Sequence, residues 1–172
     1  NYASAVNFTA LPAPQPNGLV GNPLVARANA TDGAPNVLNV YSDSPFLGWG
    51  MIDSVSIFQQ VTGRTFELFV LRPQGDNAYL IAAASGLITT VGPTGTVVSY
   101  SLPNGLMGVE AGDLLAHYGT GIPYDIGQAG NEPIYLSSVG APTLGSTILL
   151  GTADYSFYNE ERRYSLAVNV TP

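Results

Sequence analysis

The chain has 172 residues, a net charge of −7, no cysteine, and only 10 % charged residues. All five basic residues are arginine, which leaves no lysine for a P-loop or a Schiff base. Nor is there the clustered positive charge that nucleic acid or an anionic membrane surface requires. With 45 % hydrophobic residues the chain can close one full core without metal or disulfide staples, and no apolar run approaches the ~18 residues of a spanning helix.

Residues 1–36 read as an extended, proline-rich arm. Tyr2, Val6 and Phe8 are β-favouring and share a parity, so a first strand is expected over residues 1–10. The alternate prolines 12, 14 and 16 then impose an extended path without backbone donors. Such an arm packs on its own domain or inserts into a neighbouring subunit. The chain starts at Asn1 with neither a basic nor an apolar leader pattern, and reads as a mature, exported chain.

Residues 37–172 read as the folded domain. Val37–Tyr41 is expected as a strand, followed by a turn-rich stretch and by Trp49, the sole tryptophan, which sits between two glycines. Trp49 serves either as a core plug or as a sugar-stacking ring. Ile52–Phe58 and Thr65–Leu71 alternate apolar and polar residues about a turn at Gly63, and are expected to pair as a central hairpin. Phe69 and Leu71 make the far end of the second run apolar on both faces, as in a strand buried on two sides. Short strands follow over 78–84, 87–91 and 97–102. Residues 106–109 and 114–118 read as a second hairpin. After a glycine-rich loop from Gly119 to Pro133, strands are expected over 134–139, 146–150, 155–158 and 163–170. The sum is an all-β, antiparallel β-sandwich of about nine to eleven strands, jelly-roll-like, with no helix beyond two turns.

Chemistry-bearing residues are few. One histidine and no cysteine exclude a structural zinc site. No G-x-S-x-G elbow presents a nucleophile, and His117 in an apolar strand reads as a packed or rim residue. Carboxylates remain. Asp53 and Glu67, in the most apolar part of the chain, need partners, and Arg64 or Arg72 are the expected ones. No cofactor is expected. Calcium is left open, with the loop carboxylates Asp43, Asp125 and Asp154 as ligands. The run Glu160–Arg163 is expected to close the last hairpin as a solvated charge cluster, with a specific inter-subunit salt-bridge site as the alternative. Three N-x-Thr triplets place glycosylation acceptors at Asn7, Asn29 and Asn169.

The pieces Gly48-Trp49, Arg72-Pro73 and Val109…Gly112-Asp113 resemble secreted jelly-roll modules of extracellular surface proteins, which carry an entry Gly-Trp, a strand ending in Arg-Pro and a V-x-x-G-D turn. The resemblance covers residues 48–125 and implies a binding or structural role at a cell surface. It assigns no functional residue.

Three functions follow from this reading. The first is a non-enzymatic subunit of an extracellular assembly such as a fibre, filament or surface layer, self-associating through strand edges that so few charges protect, or through an exchanged arm carrying Tyr2, Val6 and Phe8. The second is a lectin-like adhesion module using Trp49, Tyr118 and Tyr124 as an aromatic platform. The third is a carbohydrate-active enzyme using Asp53 and Glu67.

Overall fold

The computed structural model describes residues 13–127 and 132–172. The expected first strand with Tyr2, Val6 and Phe8, and the sequon at Asn7, lie outside the described residues. Among those described there is no helix, and hence none long and apolar enough to cross a membrane. Fourteen strands form two antiparallel sheets, giving the open sandwich expected from the alternating pattern. Strands of only two to four residues raise the count above the nine to eleven read from the sequence.

The smaller sheet runs β1 (Gly18–Gly21), β14 (Leu166–Thr171), β3 (Gly50–Gln59). The far side of β3 is shared end to end by β7 (Thr96–Ser101) and β8 (Met107–Val109). The larger sheet runs β10 (Tyr124–Ile126), β13 (Tyr155–Tyr164), β11 (Glu132–Ser137), β2 (Val37–Val40), β9 (Leu114–Gly119), β4 (Thr65–Gly75), β5 (Ala78–Ala84), β12 (Thr147–Leu149), with β6 (Ile88–Thr89) also on β4.

The central hairpin does not form. β3 lies in the smaller sheet and β4 in the larger, so residues 60–64 are a corner between layers. The corner is fixed by Gly63 N–H donating to the Thr90 carbonyl at 2.8 Å and Arg64 N–H donating to Thr90 Oγ1 at 3.0 Å. The second hairpin fails in the same way, with β8 in the smaller sheet and β9 in the larger. Alternation fixes which face of a strand is buried. It does not fix the partner, and facing strands of two layers carry the same pattern as neighbours in one. A third corner occurs at Ser165, where β13 passes into β14. Its buried hydroxyl accepts from Val25 N–H at 2.9 Å and donates to the Val25 carbonyl at 2.8 Å.

The main core lies between the sheets and gathers Ile52, Val55, Ile57, Phe66, Leu68, Val70, Leu115, Tyr164, Leu166, Val168 and Val170. A second cluster covers the outer face of the larger sheet, where Leu38, Val40, Phe69, Leu71, Ile81 and Ala116 meet Ile148, Leu150 and Tyr155. The two-sided burial read from Phe69 and Leu71 is therefore real. The excursion between β11 and β13 supplies the second covering layer. Each such aliphatic side chain contributes roughly 1.5–3 kcal/mol.

The described part of the arm lies on its own body. β1 pairs with β14, and Asn22 N–H donates to the Leu166 carbonyl at 2.8 Å. Gln15 Oε1 accepts from Leu47 N–H at 2.5 Å and Gly48 N–H at 3.0 Å. Gly48 is required there, because a Cβ would sit 2.2 Å from the Ala13 carbonyl oxygen.

Candidate functional site

The corner between β8 and β9 builds one end of the sandwich. Gly112 turns it with φ at +89°, and Asp113 follows, its side chain only 1 % exposed. A carboxylate so enclosed needs donors. Arg72 reaches it from β4 as a two-pronged clamp, Nε to Oδ1 at 3.0 Å and Nη2 to Oδ2 at 2.9 Å. Glu110 N–H adds a third bond to Oδ2 at 2.9 Å. The remaining prong, Arg72 Nη1, meets Glu110 Oε1 at 3.0 Å. The Asp113 hydrogen bond raises the Arg72 pKa further above its ordinary value, with the Asp113 and Glu110 charges acting the same way. The turn is also tied to the Trp49 approach, since Phe46 N–H donates to the Asp113 carbonyl at 2.9 Å and Gly112 N–H to the Phe46 carbonyl at 2.8 Å.

These bonds join the three sequence pieces Gly48-Trp49, Arg72-Pro73 and Val109…Asp113 around a single cleft of about 510 Å³. It is lined by Trp49, Met51, Arg72, Glu110 and Pro172 together with Gly50, Ala82, Gly108 and Val109. Trp49 is 46 % exposed and Met51 45 %, so Trp49 is a rim residue and not a core plug. Met51, Arg72 and Glu110 were not singled out as site residues from the sequence. The available signal was that Arg72 and Glu110 lie within the turn pieces.

The other expected site residues are dispersed. Tyr124 is buried under Arg162, whose guanidinium carbon lies 4.4 Å from the ring centre. Tyr118 lines a separate cleft with Glu67, Leu87 and Thr120. The three rings therefore form no common platform.

Asp53 and Glu67 do not pair with Arg64 or Arg72. Asp53 is the extra residue of a bulge in β3 and accepts from the Asn169 amide at 3.0 and 3.1 Å and from Ser54 Oγ at 2.6 Å. Burial raises the Glu67 pKa. Asn169 alternates with core residues Val168 and Val170, and Glu67 with Phe66 and Leu68. Both carboxylates thus point outward, from opposite faces of a sandwich whose sheets lie ~10 Å apart. They cannot flank one glycosidic bond.

Among the described residues no group of three or more His, Asp and Glu side chains could hold a metal ion. Asp125, one of the calcium candidates, is engaged by Arg27 Nη1 at 3.2 Å and Ala28 N–H at 2.7 Å. The sequon amides are also engaged, Asn29 with the Tyr124 carbonyl at 3.2 Å and Asn169 with Asp53.

The run Glu160–Arg163 does not close a hairpin in solvent. It lies within β13, and Arg162 is 8 % exposed. Arg162 Nη1 pairs with the buried Asp32 of the arm, and Nε with Glu160. Tyr164 Oη donates to Asp32 at 2.7 Å. Tyr164 in turn meets His117 edge-on with ring centres 4.4 Å apart, and Tyr41 Oη bonds His117 Nδ1 at 2.9 Å. Complete burial, with help from Arg162, lowers the His117 pKa to about 3, so the ring is neutral at neutral pH. This network is sealed inside the sandwich and ties the arm to the body.

No family model matches the chain, and neither the curated proteins nor the solved structures contain a match to it.

Proposed function

We propose that the chain is a non-enzymatic structural subunit of an extracellular assembly, self-associating through open strand edges. The observation that carries this reading is β13. It runs ten residues, yet among the described residues its outer neighbour β10 pairs only with Arg162, Arg163 and Tyr164. The stretch from Tyr155 to Glu160 is thereby an edge, carrying Phe157 at 55 % and Tyr158 at 42 % exposure. The edge strand β7 adds Val97, exposed to 46 %. Long, apolar edges with few charges favour pairing with another chain, and a second copy offers the same register of donors and acceptors.

Electron micrographs and light scattering of the purified protein test this directly. The expected result is an oligomer or filament that Phe157→Lys with Tyr158→Lys disperses. A native chain that stays monomeric at high concentration overturns the reading. A truncation removing residues 1–12 leaves β1 in place. If assembly survives it unchanged, exchange of the arm is dropped and edge pairing remains.

A further inference from the structure

We infer that the cleft beside Trp49 is a subsite for a neutral saccharide, with one sugar ring stacked on the indole and hydroxyls donated to Glu110. The site stands apart from β13 and does not depend on assembly.

The lining offers two kinds of chemistry. Trp49 and Met51 offer an exposed apolar surface, which suits the C–H face of a pyranose. In the same cleft, the Glu110 side chain is 62 % exposed and held on one oxygen by Arg72. An ionised carboxylate only accepts hydrogen bonds, so it selects a ligand rich in O–H donors. Gly50, Ala82 and Gly108 add little bulk to the lining, and a Cβ added to Gly108 would meet only Met51 Sδ at 3.8 Å, leaving room for a sugar ring to lie close. The volume of about 510 Å³ falls within the ~300–1,000 Å³ of small-ligand sites.

Charge narrows the choice. Arg72 is balanced by Asp113, so among the lining side chains Glu110 leaves one net negative charge. Sulfated, phosphorylated and uronic ligands are repelled. A cationic ligand would match that charge, but strong recognition of quaternary ammonium groups uses cages of several aromatic rings, and among the described residues Trp49 alone brings a ring to this cleft. A neutral sugar uses both kinds of surface without needing a cage.

Trp49 is the chain's sole indole, so its fluorescence reports the site without a label. The experiment titrates neutral gluco-, manno- and galacto-oligosaccharides into the full chain and into the Phe157→Lys/Tyr158→Lys variant. A saturable change is expected in both, with a Kd near the millimolar range. By calorimetry, Trp49→Ala should abolish binding, Trp49→Tyr retain it within about tenfold, and Glu110→Gln weaken it about tenfold, the loss of one anchoring contact. The proposal is overturned if no neutral oligosaccharide saturates the signal, if tetramethylammonium or a lysine peptide saturates it instead, or if Trp49→Ala binds undiminished. Binding lost together with assembly in the Phe157→Lys/Tyr158→Lys variant would overturn the independence of the two sites.

Discussion

Two arginine clamps hold this sandwich, and they use the same chemistry in opposite surroundings. Arg162 is buried at the inner end of β13 and grips Asp32, 130 residues earlier. Arg72 is partly open to solvent and grips Asp113 at the rim of the Trp49 cleft. The buried clamp joins the arm to the body and leaves nothing over for a partner. The rim clamp fixes a corner between the sheets and spends its last donor on a carboxylate that still faces water. Full enclosure makes an ion pair a structural bolt, whereas partial exposure lets the same pair present an acceptor.

Stability measurements can break this contrast. The largest effect is expected from Arg162→Met. It leaves Asp32 buried beside Tyr164 without its cation and should lower the unfolding free energy by about 3–5 kcal/mol, read from urea midpoints. Arg72→Met should cost less, about 1–3 kcal/mol, because Asp113 keeps the Glu110 amide and water can reach the rim. Its loss should also shrink at 1 M salt, where the Arg162 effect should not. If the two variants lose equal amounts with equal salt dependence, the contrast is void.

Acid sharpens it further. His117 belongs to the buried side, and its folded pKa of about 3 lies below the ordinary 6.5. The unfolded chain therefore binds the proton first. Stability from this group is intact above pH 6.5 and drains away as pH falls toward 3, by at most about 1.4 kcal/mol per pH unit. His117→Gln should flatten that part of the pH–stability curve. An unchanged slope would mean that other groups drive acid unfolding. The smallest effect is expected from Glu110→Gln, where an exposed pair with Arg72 contributes no more than ~1 kcal/mol. A loss comparable to that of Arg72→Met would show Glu110 to be structural, which would remove the idea that it is held in reserve for a ligand.

The strands were legible because alternation reports burial. Tyr164, Leu166, Val168 and Val170 all face the core, although Ser165 divides the single strand expected over 163–170 between the two sheets, and the two-sided burial at Phe69 and Leu71 holds. Pairing was not legible. Nothing local distinguishes the corner at Gly63 from a hairpin turn, since both reverse a chain between two half-buried strands. Arg162 could have been found. It shares parity with Tyr164, so the inward alternation extends back to it, but a run of four charges read as solvated face concealed this. Its partner Asp32 lay in a segment with no strand pattern. The Trp49 cleft was half legible. Its pieces stood out as turn chemistry, and only the fold brings Arg72 onto Asp113.

The arginines have one more consequence. Without lysine, these five residues are the chain's entire stock of cleavage points for trypsin-like proteases. Arg27 and Arg162 are held in ion pairs with little side-chain exposure, Arg72 is clamped, and Arg163 lies within a strand. Arg64 alone is exposed, in the corner between β3 and β4. Native protein in a protease-rich environment should therefore be nicked first at this one bond. The cut falls on the tether between the two sheets, which the shared core would still hold together.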